Sequence, residues 1–133
     1  MTTLAQAWPQ DQRLESLARS RTVTAVLWTL QGLSAAMFLL AGGLKLAGIP
    51  MEVQLFDAIG IGQWFRFLTG AIEVTSAVLL LVPSLAFYAA VALAVTMVGA
   101  LLTHFFIIGG NFAAALLLLL STTTIAWMRR SER

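Results

Sequence analysis

Four long apolar runs, separated by three breaks, organise this 133-residue chain. The first goes from Val23 to about Ala47, the second from Trp64 to Val82, the third from Leu85 to Ile108, and the last from Phe112 to Met128. None alternates apolar with polar side chains, so none reads as a β-strand. Each approaches or exceeds the roughly 17 residues a helix needs to cross a hydrocarbon core. In lipid an unpaired backbone amide costs several kcal/mol, so such segments form helices or a closed barrel, and without alternation helices win. The first run is too long for the apolar core of a secretory signal and has no convincing cleavage site, so it reads as a retained span.

The breaks differ in kind. Pro83-Ser84 and Gly109-Gly110-Asn111 leave room only for antiparallel hairpin turns. Gly48–Gln63 is longer; Ile49-Pro50, Glu52, Asp57 and Gly60-Ile61-Gly62 interrupt its periodicity. Val53, Leu55, Phe56 and Ile59 keep it partly apolar, which suits a short interfacial or re-entrant piece. Residues 1–22 are mixed and polar. Leu14, Leu17, Ala18 and Arg21 recur there at helical spacing, which fits either an interfacial helix or a frayed tail.

The expected architecture is all-α: an integral membrane four-helix bundle over residues 23–128, a tail at 1–22 and another at 129–133. Composition agrees, with 59% hydrophobic and 11% charged residues against roughly 25% charged in soluble domains. Charge placement sets the topology. Arg13, Arg19, Arg21, Arg129, Arg130 and Arg133 occupy the two tails, whereas Glu52 and Asp57 lie in the loop expected on the other side. The positive-inside rule then puts both termini in the cytoplasm, which an even number of spans also requires. A multi-pass protein of the cell (inner or plasma) membrane is the reading, with Trp28 and Trp127 near the inner boundary and Trp64 near the outer. The basic residues are a topology signal, so no nucleic-acid partner is expected. With no cysteine and one histidine, disulfides, thiol redox chemistry and a metal site within one chain are not expected.

A few polar groups remain in or at the ends of the spans: Gln31, Lys45, Arg66, Glu73 and His104. Lys45 closes the first span and Arg66 opens the second, both at the outer boundary. Glu73 lies seven residues further in, roughly 10 Å deeper, and His104 four residues, roughly 6 Å, before the outer end of the third. Arg66, Gly70, Glu73 and Ala77 share one helix face; Lys45, Gly42, Phe38, Ser34 and Gln31 share another; His104, Ala100 and Met97 form a third. Charged groups turn from lipid toward one another, and small residues let helices approach closely. One polar pocket near the outer leaflet, bounded by the first three spans, follows. The fourth span, rich in alanine and leucine, reads as packing.

Each residue also has a plainer role. Lys45 can snorkel to the headgroups, Arg66 can sit at the interface, and His104 can donate to a carbonyl. Glu73 is harder to dismiss: a carboxylate at that depth costs several kcal/mol unless paired or protonated. Its plain role is an ion pair with Arg66 or Lys45.

Three segments resemble the DoxX-like family of small four-helix membrane proteins. They are Ala41-Gly42-Gly43-Leu44-Lys45-Leu46, Arg66-Phe67-Leu68-Thr69-Gly70-Ala71-Ile72-Glu73 and Met97-Val98-Gly99-Ala100-Leu101-Leu102-Thr103-His104. The resemblance covers about residues 25–128. It implies a membrane fold and associates the chain with quinone-linked sulfur oxidation, membrane redox complexes or assembly factors, without fixing a reaction.

Three functions compete. In the first, the pocket binds a lipophilic small molecule and performs acid–base chemistry on it, with Glu73 and His104 as catalytic groups. Lys45, Arg66, Gln31, Phe38 and Met97 then contact the substrate. Isomerisation, cyclisation or epoxide opening of an isoprenoid-like compound needs no cofactor and suits this set. In the second, the chain is a non-catalytic subunit whose cationic pocket holds a quinone, with electrons coming from a redox partner protein. In the third, it is an assembly factor that docks other membrane proteins on its Gly- and Ala-rich faces. The Leu-rich face Leu116–Leu120 meets lipid or a second copy, and a homodimer is expected.

Overall fold

A computed structural model describes residues 9–133; the first eight residues of the expected N-terminal tail lie outside it. Among the described residues the chain is helical throughout, without strands. Five helices follow one another: α1 (Gln10–Ala47), α2 (Pro50–Ile59), α3 (Gln63–Leu79), α4 (Ala86–Thr103) and α5 (Ala113–Arg129). A π-helical turn, His104–Ile108, extends α4, and a single 3-10 turn, Arg130–Glu132, follows α5.

Helix α1 runs unbroken for 38 residues, roughly 57 Å at about 1.5 Å per residue. The polar segment before Val23 is therefore continuous with the first apolar run and not a separate surface helix. The reason is local. No glycine or proline falls between Gln10 and Gln31, and Gln, Arg, Leu, Glu and Ala are good helix formers. Every residue from Gln10 to Val26 is exposed, and burial begins at Leu27. From there Leu27, Gln31, Ser34, Phe38 and Gly42 recur every three or four residues and form the packed face.

Residues 48–63, expected to be a loop with room for a short interfacial or re-entrant piece, contain helix α2. Pro50 stands at its first turn, where a missing N–H is harmless. Glu52 and Phe56, one turn apart, are its buried residues. The two short breaks are turns as expected. At the second, Asn111 Oδ1 accepts the N–H of Ala113 at 2.9 Å and so starts α5.

Helix α1 packs on α3, α3 on α4, α4 on α5, and α5 back on α1; α2 lies across one end, against α1, α3 and the π-helical turn. The fully buried centre holds Phe38, Ala77, Leu80, Leu93 and Ile125. The tightest approach is between α1 and α3. A Cβ at Gly42 would stand 2.8 Å from Val74 Cγ2 and 2.9 Å from the Gly70 carbonyl oxygen, so only glycine fits there. Two glycines bring the backbones together and gain close van der Waals contact, which is the attraction available to helices whose outer surroundings are also apolar.

The outer surface is apolar as well, with Leu33, Met37, Leu40, Val95, Leu102 and Leu117 exposed. The Gln10–Ala47 and Ala86–Ile108 helices are long and apolar enough to cross a membrane. Helices α3 and α5 are shorter, at 17 residues each.

Candidate functional site

Near the end closed by α2 the helices form a cavity of about 440 Å³, within the range of roughly 300–1,000 Å³ typical of small-molecule sites, open where its lining residues Leu68, Ile72 and Val95 are exposed. Its walls are mostly apolar: Leu55, Phe56 and Ile59 of α2, Phe65, Leu68 and Ile72 of α3, and Val95, Met97 and Ala100 of α4. Lys45, Glu52, Glu73 and His104 supply its ionisable groups.

Lys45 stands between two carboxylates. Its Nζ lies 3.3 Å from Glu73 Oε2 and 3.9 Å from Glu52 Oε1. All three side chains are largely withdrawn from solvent, Glu73 almost wholly, at 1% exposure. Helix packing dictates the meeting. Lys45 ends the packed stripe of α1 one turn beyond Gly42, and Glu73 lies one turn beyond Gly70 on the facing stripe of α3, so the glycine contact brings the two together. Glu52 arrives from α2. Among the described residues no second cation is within ion-pair distance of either carboxylate. Glu52 Oε2 and Glu73 Oε2 are both buried without a hydrogen-bond partner. With both carboxylates ionised, the cluster sets two negative charges against one positive.

His104 is held at the junction of α4 and its π-helical extension. Its Nδ1 is 3.1 Å from the Gly109 carbonyl oxygen. A carbonyl only accepts, so Nδ1 carries the proton and, in the neutral ring, Nε2 keeps its lone pair. Such turns insert an extra residue into a helix and recur at functional sites.

Residues 29–128 match the DoxX-like family. The chain belongs to that family. Compared with the curated proteins and with solved structures, it matches none significantly. In this DoxX-like protein, the three segments that carry the resemblance bring Lys45, Glu73 and His104 to one cavity.

The other sequence-predicted contacts divide. Met97 lines the cavity. Phe38 is fully buried in the packed centre and does not reach it. Arg66, on the face of Glu73, turns toward the end of α1. Its Nη1 donates to the Lys45 carbonyl, and its Nε donates to Gln63 Oε1 at 2.6 Å. Gln63 in turn donates to the Val53 carbonyl at 3.0 Å and to Asp57 Oδ1 at 2.8 Å. This chain of bonds ties the ends of α1, α2 and α3, and so fixes the backbone from which Lys45 and Glu52 project. Arg66 is a positioning residue here, outside the cavity lining.

Gln31 lies at the opposite end. It is fully buried, its Nε2 donates to the Leu80 carbonyl at 2.6 Å, and its Oε1 accepts from Arg129. Arg129 also donates to both oxygens of Glu132, at 2.9 and 2.7 Å. The residue that sequence reasoning passed over is Glu52, taken as an acid of an exposed loop. Its signal was the spacing Glu52, Phe56, Ile59 behind Pro50, one face of a short helix.

Proposed function

We propose that this DoxX-like protein is a four-span membrane bundle with cytoplasmic ends, and that its cavity binds a lipophilic small molecule and exchanges a proton with it. The observation that carries this reading is the cavity itself: apolar walls around an ionisable group from each of three long helices and a fourth from α2. Hydrocarbon repels such groups, and clustering them lets each offset the desolvation of the others. Glu73 is the proton-transferring group, since among the ionisable residues lining the cavity it is the most deeply buried. His104, whose Nδ1 proton goes to the Gly109 carbonyl, serves as a second base through Nε2. Lys45 holds the two carboxylates apart from lipid and orients them.

The quinone reading draws less support. A quinone presents acceptor oxygens. Arg66, which the cationic pocket needed as a donor, is engaged at the end of α1.

The test is mass spectrometry of small molecules retained on the detergent-purified protein, beside a Gly99→Trp variant. Gly99 lines the cavity and a Cβ there meets nothing within 4 Å, so the position admits a bulky side chain at the cavity wall. A lipophile held by the wild type and lost from the variant is the expected result. Retention of nothing by the wild type, or equal retention by both, overturns the reading. For a retained compound that the protein converts, Glu73→Gln is expected to abolish turnover while binding persists.

A further inference from the structure

The unpaired groups of the cavity specify the ligand's head. A site recognises what completes it, and among the described residues the fully buried side-chain atoms lacking a hydrogen bond are carboxylate oxygens. Glu52 Oε2 is buried with no donor, and Glu73 Oε2 has only its ion pair with Lys45, at 3.3 Å. His104 has committed its Nδ1 proton to Gly109, which leaves Nε2 an acceptor in the neutral ring. The cluster's cation, Lys45, is shared between two carboxylates. Neighbouring donors are occupied as well. Thr69 and Thr96 line the cavity, yet each hydroxyl proton goes to a carbonyl one turn earlier in its own helix, Phe65 at 2.8 Å and Ala92 at 2.9 Å.

A buried acceptor without a donor costs free energy, and an unpaired buried charge costs more. An occupant that adds acceptors, such as a fatty carboxylate or a quinone, would deepen that deficit. One that brings N–H donors and a positive charge would satisfy both carboxylates at once, while its tail lies along Leu55, Phe65, Ile72 and Val95.

Resting on the cavity reading above, we propose that the ligand is a lipophilic amine in its protonated form, its ammonium seated between Glu52 and Glu73 opposite Lys45. The same surplus of negative charge would stabilise positive charge that develops on a substrate after it takes up a proton. Specificity then lies in the head: amines enter with hydrogen bonds to both carboxylates, alcohols with fewer, and carboxylates against repulsion.

Equilibrium binding of radiolabelled decylamine, decanol and decanoate tests this at neutral pH. The full chain is held in zwitterionic lipid nanodiscs, with binding to empty discs subtracted. The expected order is amine, then alcohol, then carboxylate, with decylamine at least tenfold tighter than decanoate. Glu73→Gln and, separately, Glu52→Gln are each expected to weaken decylamine severalfold and leave decanol nearly unchanged. Decanoate or decanol binding as tightly as the amine, with all three lost in Gly99→Trp, overturns the ligand class and leaves the cavity standing. No saturable binding by any of the three, or binding that Gly99→Trp does not affect, overturns both.

Discussion

Gly109 and His104 are joined twice: the N–H of Gly109 donates to the His104 carbonyl at 2.7 Å, and the His104 ring donates back to the Gly109 carbonyl at 3.1 Å. The pair closes the π-helical turn and fixes the imidazole in one orientation. Gly109 reaches this geometry at φ 69°, ψ −160°, a region essentially restricted to glycine. Gly109→Ala is expected to lower stability by about 1–3 kcal/mol, read as earlier thermal unfolding in detergent. An unchanged transition would show that the turn relaxes freely.

The contact between Gly42 and Gly70 makes a sharper pair of expectations. Gly42→Ala places a methyl against backbone, so α1 and α3 must separate, at a cost of about 1–3 kcal/mol. Gly43→Ala, whose Cβ meets nothing within 4 Å, is expected to stay within about 0.5 kcal/mol of wild type. Unfolding of both variants in mixed micelles checks this, and equal effects would remove the close approach as its cause.

Lys45→Met leaves Glu52 and Glu73 buried without their shared cation. Removing one partner of a buried ion pair costs about 3–5 kcal/mol. Adding Glu73→Gln to that variant removes one of the stranded charges and is expected to restore part of the loss. Additive losses in the double variant, by the same unfolding measurement, would argue that Lys45 acts alone.

At the far end, Arg129→Leu strands Gln31 Oε1, and Gln31→Leu strands the Leu80 carbonyl and one side of Arg129. A double-mutant cycle is expected to give a coupling energy of about 1–3 kcal/mol. A coupling near zero would make the two sites independent.

Which parts of this molecule the amino-acid order discloses follows from what one-dimensional patterns encode. Helical periodicity and the Pro and Gly breaks locate α3, α4 and α5 to within a few residues, and they place Lys45, Glu73 and His104 on inward faces. Facing does not fix where a long side chain ends. Arg66 shares its stripe with Glu73, but its guanidinium reaches back to cap α1. Nor does a shared stripe mean shared depth. Gln31 and Lys45 are fourteen residues apart, roughly 21 Å along the axis, so one belongs to each end of the fold. Glu52 stayed hidden because an acid in the longest break looks solvated until α2 folds over the end of the other helices. Arg129 stayed hidden for the same kind of reason, since an arginine beside Arg130 and Arg133 looks like part of a basic tail.

Where two backbones touch, no acyl chain can pass. The Gly42–Gly70 seam therefore bars traffic between α1 and α3 along the flank beside Lys45. The cavity meets the outer surface instead between α3 and α4, where Leu68, Ile72 and Val95 line it and are exposed, so a molecule coming from the bilayer would enter on that flank.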